Sequence, residues 1–178
     1  MAHQGQVIEN PRTGQVMNFL LTGADTQGEL LRIECTNAPI GVKEPEHIHP
    51  YQENRFEVLS GTLTLRIDGE ERQVLSGEMI SIPPNVPHYF WNATNENVHY
   101  LQEFRPALRS EYFFEILFHL ARDGKLDKNG KPGMLQAAVI IPTFWDEIRV
   151  TNPPPRFQKI FFGLLNPIGR MLGYQAVL

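Results

Sequence analysis

This sequence predicts a mainly β fold, a barrel or sandwich of short strands, followed by α-helices. Runs of β-prone residues recur from Gly14 to Phe104 at the spacing of about 8–12 residues typical of all-β domains. Gly, Pro, Asn and Asp stand between them, the residues that tolerate or impose turn geometry. After Arg105-Pro106 the apolar period lengthens from that of a strand to that of an amphipathic helix. The barrel is thereby placed at residues 1–108 and a helical C-terminal extension, packed on the barrel or on a partner subunit, at 109–178.

The elements follow in order. His3 lies in a loose polar terminus. Val16–Leu21 and Leu30–Cys35 are strands separated by a loop over Gly23–Gly28. Phe56–Leu59 ends at Ser60-Gly61, a turn, and Thr62–Ile67 alternates polar with apolar as a half-buried strand does. Asp68-Gly69 then reads as a hairpin turn, because both residues accept the positive φ it needs. Gln73–Leu75, Met79–Ile82, His88–Trp91 and Val98–Phe104 complete the set. Ser110 is placed as the cap of a helix over Glu111–Arg122, which ends at Gly124. Lys125–Gly133 is a charged loop. Met134–Ile141 is helix or buried strand, read as helix with a stop at Pro142. Asn152 and the three prolines after it form a stiff connector, and Phe157–Leu172 is a helix interrupted near Pro167.

Composition narrows the function. A net charge of −4 and a pI near 5.9 argue against a nucleic-acid partner. No apolar run reaches the ~18 residues that a membrane-spanning helix needs. Cys35 is the single cysteine, so no intrachain disulfide forms; a buried, reduced thiol suits a cytoplasmic location.

His47-Ile48-His49 opens the chemistry. On a strand, residues two apart share a face at a separation of about 7 Å, so both imidazoles can converge on one metal ion. The spacing around them is specific. Gly41-x5-His47-x-His49 is followed by Gly61, and Gly77-x5-Pro83-x-Asn85-x2-His88-x3-Asn92 follows after a 15-residue spacer. Over Gly14–Pro106 the chain resembles the cupin superfamily, whose two motifs are Gly-x5-His-x-His-x3–4-Glu-x6-Gly and Gly-x5-Pro-x-Gly-x2-His-x3-Asn. The resemblance implies a double-stranded β-helix, a jelly-roll-like barrel, holding one divalent metal ion (Fe, Mn, Ni or Zn). His47, His49 and His88 match the three histidine ligands. It also implies a homodimer.

Two positions depart from the pattern. The motif's Glu falls on Asn54, six residues before Gly61, while Glu53 is adjacent. Asn54 shares a face with Phe56 and Val58, the plausible inward pair, and Glu53 goes with Arg55 and Glu57. A bulge at Pro50–Gln52 would reverse this for Glu53. Parity therefore puts Asn54 inside, as a weak fourth ligand through its amide oxygen or as a hydrogen-bond donor beside the metal. Asn85 replaces a Gly, mildly, since Asn also tolerates positive φ.

Phe56 and Phe90, which shares the parity of His88, are candidate substrate-binding residues, although core packing explains the same rings. Gln102 joins them as a polar group near the metal. It lies with Tyr100 on one face of its strand and His99 with Glu103 on the other, and the sequence leaves open which face is inward. A site of this kind suits dioxygenase chemistry on a small aromatic or enolic substrate, as in quercetinase-like cupins. The alternative is a non-catalytic barrel that binds or senses a small molecule with weak or no metal. The apolar surface of the last helix is expected against the barrel or a partner subunit, with a membrane surface as a third reading.

Overall fold

A computed structural model describes residues 2–127 and 130–177. The strands are β1 (Val7–Asn10), β2 (Gln15–Leu21), β3 (Leu31–Asn37), β4 (His47–Ile48), β5 (Glu53–Ser60), β6 (Thr62–Ile67), β7 (Glu70–Leu75), β8 (Met79–Ile82), β9 (His88–Trp91), β10 (Val98–Arg105) and β11 (Arg149–Val150). They pair antiparallel in two sheets, ordered β1-β2-β3-β10-β5-β8 and β11-β4-β9-β6-β7. The helices are α1 (Ser110–Arg122), α2 (Met134–Thr143) and α3 (Pro155–Met171).

Alternation builds the barrel. In β2, β3 and β5 every second side chain is buried, so Phe19, Ile33, Phe56 and Val58 meet Leu65 and Tyr100 in one core between the sheets. On β10 the inward face is that of Tyr100 and Gln102. Glu103 points outward, where Arg32, Arg55 and Arg105 surround its carboxylate. The β6–β7 hairpin turns on Asp68 at φ 49° and Gly69 at φ 82°, the two left-handed residues of a tight two-residue loop. Gly61, between β5 and β6, admits no side chain: a Cβ there would stand 2.8 Å from the carbonyl oxygen of Asn97.

Helix α1 is buried on two sides. Phe118 joins the barrel core and Phe114 packs on Phe104, while Ile116 and Leu120 meet Val139, Ile140 and Phe144 around α2. Helix α3 then lies on α2.

Several expectations are corrected. The terminal segment read as loose carries β1, paired to β2. Ser110 makes no capping hydrogen bond; its hydroxyl bonds the buried side chain of Gln52, and the cap position is Arg109. Pro142 does not stop α2, which ends one residue later, and α3 continues through Pro167. Both prolines stay within helices because the bond each removes is one among many in a packed element. Of the charged loop at 125–133, Lys128 and Asn129 lie outside the described residues.

Candidate metal centre

His47 opens the short strand β4 and His49 follows it, and His88 opens β9, directly opposite His47 in the antiparallel register. All three are buried. The ring centroids are 4.6 Å apart for His47–His88, 5.1 Å for His47–His49 and 5.2 Å for His49–His88. One ligating nitrogen from each ring lies within 4.8 Å of the other two.

Each ring is fixed through its other nitrogen. His47 Nδ1 bonds the carbonyl oxygen of Pro45 at 2.9 Å, His49 Nδ1 that of Glu147 at 2.6 Å, and His88 Nδ1 that of Val86 at 2.8 Å. A carbonyl oxygen only accepts, so each Nδ1 must carry the proton. That sets the tautomer and leaves a lone pair on each Nε2 to offer a metal or a donor. Burial, reinforced by the neighbouring rings, holds the pKa of His47 well below the ordinary imidazole value and pushes that of His49 down to about 3. Burial also lowers that of His88. Three neutral imidazoles with oriented Nε2 atoms form a donor set that a divalent ion of the Fe, Mn, Ni or Zn type accepts.

Asn54 is buried inside the barrel beside the triad, and Glu53 is only half-buried. Its Nδ2 lies 3.3 Å from His88 Nε2, and its Oδ1 accepts a hydrogen bond from Gln102 Nε2 at 3.2 Å. In this orientation the amide donates to His88 and turns its oxygen away from the rings. Ligation through oxygen requires the amide to flip. Gln102 can flip with it, because its buried Oε1 has no partner and would accept the Asn54 amine. Phe56 and Phe90 stand one inward position beyond Asn54 and His88, edge to face at 5.1 Å, and Phe104 closes on His49 at 5.1 Å.

Several residues that shape the site escaped the sequence reading. Glu147, beyond α2, supplies the carbonyl that orients His49, while its carboxylate is held by Arg109 Nε at 2.9 Å. Strand β11 pairs with β4, Val150 opposite His47. A backbone acceptor and a two-residue strand leave no side-chain signature. Glu46 places a negative charge near His88, tending to raise its pKa against the larger effect of burial. Asn85 takes φ 64°, as its Gly counterpart would, and adds a function of its own. Its N–H donates to the His49 carbonyl at 3.0 Å and its side chain to the Pro50 carbonyl at 3.1 Å. The second motif is thereby tied to the first.

Beyond Phe90 lies a small cavity of about 20 Å³, lined by Gln15, Asn37, Glu44 and Asn92 among others. It has room for about one water molecule. Burial pushes the Glu44 carboxyl up to about 7 and the Cys35 thiol far above its usual range, so Cys35 is an inert buried thiol.

Comparison with known proteins accords with this geometry. The model of the family described as "Cupin domain" matches residues 34–102, which contain all three histidines. Residues 34–102 are a cupin domain. Quercetin 2,3-dioxygenase of Bacillus subtilis (strain 168) is 33% identical over 76 residues, 43% of this chain and 22% of that protein. This chain therefore spans about a fifth of that relative's length. KdgF from Halomonas sp. shares the fold at 15% identity, with a TM-score of 0.52 over 62% of this chain and 94% of KdgF. The polyketide cyclase RemF from Streptomyces resistomycificus is 24% identical, with a TM-score of 0.48 over 59% of this chain and 78% of RemF. No helix among the described residues is long and apolar enough to cross a membrane.

Proposed function

We propose that this cupin holds one divalent metal ion on His47, His49 and His88, with Asn54 as a weak fourth ligand or a hydrogen-bond donor beside it. On this reading it is a dioxygenase acting on a small aromatic or enolic substrate. The observation that carries the metal reading is the three Nδ1 atoms committed to backbone carbonyls, which leaves three Nε2 lone pairs converging in a buried space. A pair of oriented rings arises readily from packing, whereas three rings oriented toward one another have little other use. When bound, the metal supplies Lewis acidity and, if iron, manganese or nickel, access to dioxygen chemistry. The chain's own part is to exclude water, to hold the imidazoles neutral, and to present Phe56, Phe90 and Gln102 to an oxygen-bearing organic ligand. The activity itself rests on the likeness to quercetin 2,3-dioxygenase over 76 residues.

A second reading, a barrel that binds or senses a small molecule without catalysis, is favoured by Asn54. An amide brings no negative charge, and as oriented it gives His88 a proton donor rather than the metal an oxygen.

The test begins with protein purified without a polyhistidine tag. Element analysis is expected to find about one Fe, Mn, Ni or Zn per chain, lost in His88→Ala. Oxygen consumption with flavonols and small enols then separates the two readings. Turnover establishes the enzyme. Weak or absent metal with no turnover on either substrate class supports the binding barrel, and absence of all four metals with no uptake on titration overturns the metal reading.

A further inference from the structure

Helix α3 is built the wrong way round for a helix that completes a core. An amphipathic helix ordinarily buries its apolar stripe. This one buries Gln158 and Gly169 against the rest of the fold, where a Cβ on Gly169 would stand 2.7 Å from Val139 and 2.9 Å from the Leu135 carbonyl oxygen. The side chain of Gln158 bonds the carbonyls of Val150 and Pro153. Meanwhile Phe157, Ile160, Leu164, Ile168 and Met171 are 54%, 68%, 72%, 48% and 87% exposed. At about 100° per residue these five fall in one stripe about 80° wide, turned roughly a third of a circle from the buried face of Gln158 and Gly169. The stripe is continuous along the whole helix.

The charge pattern says what covers it. All 20 acidic residues of the chain lie at or before Glu147, and only Arg149, Arg156, Lys159 and Arg170 carry charge after it. A chain of net charge −4 thus ends in a purely cationic segment. Arg149 is answered by Asp146. The three cations of α3 make no ion pair among the described residues; Arg170 bonds only the neutral Asn166 and Thr143 side chains. On the helix they fall beyond one edge of the apolar stripe, on the side away from the buried face. Stripe-to-stripe pairing with a second copy would gather six cations around one contact with no acid on either helix. An anionic bilayer accepts both features together: apolar side chains at the acyl boundary, and Arg and Lys heads among the phosphates.

We propose that α3 docks this protein on anionic lipid surfaces, lying in the plane of the interface on the stripe from Phe157 to Met171. The inference is independent of the metal site. It is tested with the full-length protein and sedimented vesicles of phosphatidylcholine, with or without about 30% phosphatidylglycerol. Binding is expected on the anionic vesicles, several-fold weaker on the neutral ones, and reduced by added salt. Leu164→Glu and the pair Arg156→Gln with Lys159→Gln should each lower partitioning about tenfold or more, with unchanged thermal unfolding since all three side chains are solvent-exposed. Light scattering without lipid is run in parallel. No partitioning onto anionic vesicles overturns the proposal, as does equal binding to both compositions. A dimer that Leu164→Glu splits, with lipid binding unaltered, also overturns it and assigns the stripe to a second copy of the chain.

Discussion

Asn54 is the residue on which the chemistry of this site turns. Its place beside His88 follows from strand parity alone, since it alternates with Phe56 and Val58 on the inward face of β5. What the sequence could not reveal is the direction of its amide, which depends on Gln102 across the strand pair. Tyr100 and Gln102 were ambiguous for a related reason. Both faces of β10 carry polar side chains, and the outward one is occupied by a buried carboxylate, Glu103, that only its arginine partners explain. Asn54→Asp would set a carboxylate beside three neutral imidazoles, in a medium where a charge is weakly screened. Divalent metal affinity is expected to rise about tenfold or more in competition with a chromogenic chelator. The same substitution should reduce the stability of the metal-free protein, because the new carboxylate is buried without a cation. Unchanged affinity would place position 54 outside the reach of the metal.

At the scale of elements, the barrel was legible because its strands are long enough to alternate and its turns carry their own chemistry. Thr62–Ile67, Met79–Ile82 and His88–Trp91 were readable to the residue, and Asp68-Gly69 announced its hairpin. β1 and β11 were not. Four polar-rich residues and two residues respectively show no period, and each is a strand only because a neighbour offers an edge. That gap matters for the site. β11 and Glu147 belong to the segment between α2 and α3, yet they brace β4 and orient His49, so the segment after the barrel is part of the metal centre's support. Thr151→Pro removes the backbone donor that bonds the Glu46 carbonyl at 2.9 Å and so ties the end of β11 to β4. It is expected to weaken metal binding by about 10–100-fold, the usual cost of losing a group that orients a ligand, while leaving the strands of the other sheet folded. Circular dichroism and metal titration on the same sample separate that outcome from general unfolding. Metal affinity equal to that of the parent chain would show that β4 holds its histidines without β11.

Over the whole molecule, the polar groups withdrawn from water oppose one another in how they respond to acid. The three site histidines have folded pKa values below the 6.5 of the free imidazole, with His49 at about 3. Below about pH 6.5 the unfolded chain therefore takes up protons that the folded chain refuses, and stability falls as pH falls toward about 3. Glu44 acts with the opposite sign. Its folded value of about 7 lies above the usual 4.5, so the folded chain binds that proton first, and stability rises as pH falls from about 7 to about 4.5. Between about pH 6 and 5 three histidines oppose one carboxyl, so the balance is a net loss of stability as the pH falls. The metal-free protein should thus be most stable at or above about pH 7 and lose its melting temperature steeply below about pH 6. Glu44→Gln should raise stability at pH 8, where the parent must hold a half-buried carboxylate, and leave the acid limb in place. A saturating divalent ion that occupies the Nε2 atoms should move that limb to lower pH, since protons must then displace the metal before the rings can charge. Melting curves from pH 8 to 4.5, with and without metal, read all three effects. A flat profile between pH 6.5 and 5 in the metal-free protein would mean that the imidazoles already carry protons in the fold, which the convergent lone pairs do not allow.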